Sequence, residues 1–178
     1  MLYIFFIAVS LALDAFAVSV SAGLTVRGFT IKDALKMGLW FGGFQFIMPL
    51  IGWFLGSRVA GYVMSVGPYI ACGVLAFIGG RMIWGALKGD NEETVTELSA
   101  KTLLLLAVAT SIDALAVGVT FAFMDVDVLL SSAVIGVVAF ALSLAGGMIG
   151  GRLGDRFKDR AQLVGGVVLV AIGIKMLF

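Results

Sequence analysis

The amino-acid sequence predicts an all-α integral membrane protein whose six transmembrane helices form two inverted three-helix repeats. Composition is the first reason. Of the 178 residues, 61% are hydrophobic and 13% charged, with a mean hydropathy of +1.14, whereas soluble domains carry about 25% charged residues. Segment length is the second. Six apolar runs, at roughly 2–24, 34–56, 68–87, 102–123, 128–150 and 161–178, each approach the ~20 residues that a spanning helix needs. Recurrence is the third. The pattern D-A-x-A-V-x-V occurs at Asp14 and again 99 residues later at Asp113. The runs lack the period-two alternation of a membrane barrel, the other spanning solution.

The first span carries Asp14 at its centre, with Ser10 four residues before and Ser21 seven after. It does not read as a removable leader. No Lys or Arg precedes the apolar run, Asp14 interrupts it, and its repeat is internal. The second span carries a stripe of Gly38, Gly42, Gln45, Pro49, Gly52 and Gly56. Steps of four and three put these residues on one helical face, and small residues let membrane helices approach closely. The third span contains the single cysteine, Cys72, which reads as packing, and Arg81. The polar stretch 88–101 follows and holds all three glutamates. It reads as a solvated cytoplasmic linker between a first repeat, 1–87, and a second, 102–178.

The fourth span repeats the first, with Thr110 three residues before Asp113 and Thr120 seven after. The fifth repeats the second at a shift of 94, giving Ser132, Gly136, Ala139, Ser143, Gly146 and Gly150. In the sixth, Lys175 stands where the third has Arg81. Both are expected to snorkel to an interface, and Arg81 is also a candidate charge partner for an aspartate when no cation is bound. Three spans per half make the second half enter the membrane in the opposite sense. Secondary transporters share that arrangement, with sites near the midplane between the repeats. Ten of the twelve Lys and Arg residues fall on one side, with Arg58 and Lys175 on the other. The positive-inside rule makes that side cytoplasmic and both termini extracytoplasmic.

Charged residues within spans are costly and mark ion pathways. Asp14 and Asp113 are therefore the candidate metal site. Gln45 suits either of two roles, a bond to a neighbouring helix or a cation ligand. Pro49 adds a carbonyl freed one turn back. Ser10, Ser21, Thr110 and Thr120 are candidate additional ligands, although hydroxyls in membrane helices often bond their own backbone. Oxygen ligands suit Mg²⁺, Ca²⁺ and Mn²⁺. The sequence has no His and only one Cys, which argues against Zn²⁺ or Cu⁺. No G-x-x-x-x-G-K-[ST] motif occurs, so transport would run on an ion gradient or down the substrate's own. Protons and divalent cations compete for buried carboxylates, a sufficient basis for cation/proton exchange.

The twin motifs LDAFAVSVSAG and ATSIDALAVGV, with MPLIGW at 48–53 and GGRM at 79–82, resemble the MntP family of manganese efflux pumps over essentially the whole chain. The resemblance implies a multi-pass exporter of manganese(II) in the bacterial inner membrane, with the family's membrane aspartates at Asp14 and Asp113. Some relatives carry an acid where this chain has Gln45. A distant relation to lysine-type exporters keeps a small organic solute, like another cation, as an alternative cargo. The partners expected are a divalent cation and the lipid bilayer, without nucleic acid. Manganese is expected as substrate, with no cofactor. An enzyme is not expected. A diaspartyl intramembrane protease needs a G-x-G-D context, and Leu13 and Ile112 precede the two aspartates here. A channel or a scaffold without transport is the remaining rival.

Overall fold

The computed structural model describes residues 2–26, 28–56, 60–88, 98–156 and 161–175. They form α1 (Leu2–Thr25), α2 (Ile31–Leu55), α3 (Ala60–Lys88), α4 (Ala100–Thr110), α5 (Ile112–Phe121), α6 (Val128–Arg156) and α7 (Ala161–Lys175). The all-helical expectation holds, with no strand among the described residues. Leu2–Thr25, Ile31–Leu55 and Val128–Leu153 are long and apolar enough to cross a membrane, and α4 with α5 makes a fourth span if the bent pair counts as one. Of the other two expected spans, α7 is described over the 15 residues Ala161–Lys175. Helix α3 runs for 29 residues, long enough to span, and holds the uncharged apolar run 63–80.

Side chains close the helix ends where the chain leaves its apolar runs. At the start of α2 the Asp33 carboxylate accepts from the Thr30 N–H at 3.0 Å and from the Thr30 hydroxyl at 2.7 Å. The Ser99 hydroxyl accepts from the Thr102 N–H at 3.2 Å to cap α4. Asp127 accepts from the Leu130 N–H at 3.0 Å to cap α6. Each satisfies a donor that a helix start leaves open. Helix α2 ends at Gly56, whose φ of 47° lies in the region that glycine adopts without a Cβ penalty.

The predicted fourth span is not one straight helix. It breaks at Ser111, and the two pieces are bent by 44°. Adjacent hydroxyls account for the break. Thr110 donates to the Leu106 carbonyl at 2.9 Å, and Ser111 donates to the Ala107 carbonyl at 2.6 Å. Hydroxyls bonded back to the preceding turn bend a helix.

Helix α1 lies against α6 and α7, α2 against α6 and α5, and α3 against α7. Glycines set the closest approaches. A Cβ on Gly42 would lie 2.8 Å from the Gly136 carbonyl, and one on Gly136 would lie 2.9 Å from the Gly42 carbonyl. A Cβ on Gly146 would lie 2.6 Å from the Phe16 carbonyl, and one on Gly52 would collide with the Leu115 carbonyl. Such contact gives helices the packing that drives association in lipid, where the hydrophobic effect is absent.

Candidate metal centre between the aspartate helices

Gln45 is fully buried and joins the two aspartate-bearing segments. Its amide Nε2 donates to the Leu11 carbonyl of α1 at 3.1 Å and to the Thr110 carbonyl of α4 at 3.2 Å. Leu11 stands three residues before Asp14, and Thr110 three before Asp113. The amide therefore spans equivalent places in the two recurring motifs. Its Oε1 has no hydrogen-bond partner, and an unmet buried acceptor is costly.

Asp113 is the second residue of α5. The Ala114 N–H, which in an unbroken helix would donate to the Thr110 carbonyl, donates to Asp113 Oδ1 at 2.8 Å. The break thus does two things. It frees the Thr110 carbonyl for Gln45, and it sets a carboxylate at a helix N-terminus, where the dipole favours negative charge. Asp14 sits within the unbroken helix α1. There the backbone N–H groups are taken up by the helix, and its partner is a side chain instead. Lys175 Nζ donates to Asp14 Oδ1 at 3.2 Å. Lys175 thus bonds an aspartate where snorkelling was expected. Asp14 and Lys175 both lie within electrostatic reach of Asp113.

The remaining candidates divide by position. Ser21 is buried near the end of α1, and Ser10 is exposed. Thr120 is exposed and donates to the Ala116 carbonyl at 3.2 Å. The Thr110 hydroxyl is buried and committed to its own helix. Gly38, Gly42 and Gly136 lie where α2 meets α6, Gly52 and Pro49 where α2 meets α5, and Gly146 and Gly150 where α6 meets α1. The Arg81 side chain and residues 89–97 of the linker lie outside the described residues.

Sequence reasoning missed two residues. Ser111 is signalled by the Thr-Ser pair just before Ile112 and Asp113, where the first motif has Leu11 and Ala12. Lys175 is signalled by its correspondence with Arg81, the only residue of the third span to carry a charge before Lys88.

Among the described residues no three Asp, Glu, His or Cys side chains come together. The candidate ligands are the two aspartates of the sequence reading and any neutral oxygens beside them. The free Gln45 Oε1 is one such oxygen. The Gln45 backbone carbonyl is another by chemistry, because Pro49 has no N–H to offer it. Carboxylate, amide and carbonyl oxygens form the hard ligand set that Mn²⁺ and Mg²⁺ accept.

Residues 28–177 match the family described as "Putative manganese efflux pump". A protein of Methanosarcina mazei named "Putative manganese efflux pump MntP" is 50% identical over 173 residues, covering 97% of this chain and 93% of its own length. A protein of the same name from Clostridium perfringens is 46% identical over 189 residues, covering 94% of this chain and 89% of its own. No solved structure gives a significant match.

Proposed function

The chain belongs to the MntP family of manganese efflux pumps, and from that premise we propose that it exports Mn²⁺ through a mid-membrane site built on Asp14 and Asp113. The family makes it a multi-pass membrane transporter rather than an enzyme, with manganese as cargo. The observation that carries the site is the Gln45 bridge. One buried amide ties together the carbonyls that precede the two aspartates by the same three residues. In this reading the two carboxylates flank the polar point that the amide makes. In this reading each carboxylate ligates the ion, and Gln45 Oε1 completes part of its shell. Protons compete for the same oxygens when the ion leaves.

The reading includes two inverted repeats of three spans, 1–87 and 102–178, joined by a cytoplasmic linker. Support comes from packing partners that exchange between the halves. Gly146 of α6 meets the Phe16 carbonyl of α1, and Gly52 of α2 meets the Leu115 carbonyl of α5. These are the same pairings at the shifts of 94 and 99 found in the sequence. The positive-inside rule then sets both termini outside the cell's plasma membrane.

The test is Mn²⁺ flux into proteoliposomes from wild type, Asp14→Asn and Asp113→Asn, each checked for normal insertion. Loss of saturable flux in both variants supports the site. Undiminished flux in either one rejects it.

A further inference from the structure

Among the described residues, Lys175 is the one basic side chain bonded to a membrane aspartate. It comes from the last described residue of α7 and reaches Asp14, 161 positions away in sequence. The Asp14 side chain is 14% exposed and the Lys175 side chain 72%. The carboxylate is therefore held in place, while the ammonium rides on a four-carbon stem that is free to swing. A divalent cation bonds a carboxylate oxygen at about 2–2.6 Å. Lys175 Nζ already stands 3.2 Å from Asp14 Oδ1, so a cation on that oxygen would face a like charge at close range.

We infer that Lys175 is a tethered competitor for Asp14, which occupies the carboxylate when the site is empty and is displaced only by a divalent cation. The inference rests on the reading of Asp14 as a cation ligand and adds the residue that sets its selectivity. The exchange favours the ion of higher charge. A doubly charged ion replaces a singly charged ammonium and gains one unit of attraction. A monovalent ion gains nothing by the same replacement and lacks the advantage of the tether. Lys175 therefore screens the site against the sodium and potassium that far outnumber manganese in a cell. It also leaves the empty carrier with one aspartate already neutralised. That lowers the cost of moving the unloaded site through a low-dielectric interior.

The experiment is calorimetric titration of the purified full chain with MnCl₂, in sodium chloride and in N-methylglucamine chloride of equal ionic strength. Wild type, K175M, K175R, D14N and D14N/K175M are compared. K175M should bind Mn²⁺ about fivefold more tightly in N-methylglucamine, the scale of one partly exposed ion pair. Sodium should weaken binding in K175M and leave wild type unchanged. K175R, which keeps the charge, should behave as wild type, and K175M should have no effect in the D14N background. If K175M aggregates, K175Q loses the charge while keeping a polar end and answers the same question. Unchanged or weaker Mn²⁺ binding in a folded charge-neutral variant, without sensitivity to sodium, overturns the inference while the aspartate site stands. Wild-type affinity in D14N rejects the aspartate reading itself, and the competitor falls with it.

Discussion

Gln45 donates its amide to the carbonyl of Thr110, 3.2 Å away, at the point where the fourth span breaks. The same amide holds the Leu11 carbonyl of α1. A side chain of α2 thereby fixes the separation of the two aspartate-bearing segments, and its replacement separates ligand effects from positioning effects. Gln45→Ala removes two hydrogen bonds worth about 1 kcal/mol each. It should lower the thermal midpoint clearly while reducing Mn²⁺ flux less than either Asp→Asn change, since water can replace a neutral ligand. Gln45→Glu adds a third acid, and its ionised form cannot donate to either carbonyl. Mn²⁺ should bind it more tightly, in a less stable protein. Thermal unfolding and Mn²⁺ titration of the two variants check both halves of the expectation.

Asp14→Asn and Asp113→Asn each keep the shape of the side chain and remove a charge. Changing even an indirect partner of a metal ligand costs about 10–100-fold in affinity. Mn²⁺ affinity should fall at least that far in each variant, and cells relying on the protein should become manganese-sensitive. A pH series on the wild type adds a second reading. Ligating carboxylates must be deprotonated, so apparent affinity should fall as pH drops through their titration range. An affinity flat with pH, with flux still dependent on both aspartates, would leave the metal site standing and remove the proton competition.

Gly146 and Gly43 form a matched pair for testing close approach. A Cβ on Gly146 would lie 2.6 Å from the Phe16 carbonyl, whereas one on Gly43 meets nothing within 4 Å. Gly146→Ala should destabilise by about 1–3 kcal/mol, the usual cost of overpacking. Gly43→Ala should be neutral or slightly stabilising, because alanine is the better helix former. Thermal unfolding in one detergent measures both, and equal effects would contradict the packing described for α1 and α6.

Ser111→Ala removes the hydroxyl that bonds the Ala107 carbonyl at 2.6 Å. The fourth span should straighten and grow more stable, while Mn²⁺ flux falls several-fold because Asp113 loses its place at a helix start. Spin labels at residues 104 and 120 would read the bend directly as a distance. An unchanged distance would assign the break to the Thr110 hydroxyl or to tertiary packing instead of the Ser111 hydroxyl.

The glycine stripes were legible because their signal is local and periodic. Asp14 and Asp113 stand out against apolar neighbours, and the steps of four and three from Gly38 to Gly56 need no partner to be recognised. The break at Ser111 was harder to read, since it depends on hydroxyls competing with the helix for their own carbonyls. A hydropathy profile ignores that competition. The bond from Lys175 to Asp14 joins residues 161 apart, and periodicity carries no information about such contacts.

The break at Ser111 also makes two nearly identical motifs unequal in kind. Asp113 gains a backbone N–H from the opening of α5 and stands at its positive end. Asp14, inside an intact α1, leans on an ammonium borrowed from the far end of the chain. On the proposed reading, an ion entering between them would meet one ligand anchored by main chain and another that must first release its occupant. The first would then receive cargo at once, whereas the second would act as a latch that closes only around an ion of sufficient charge.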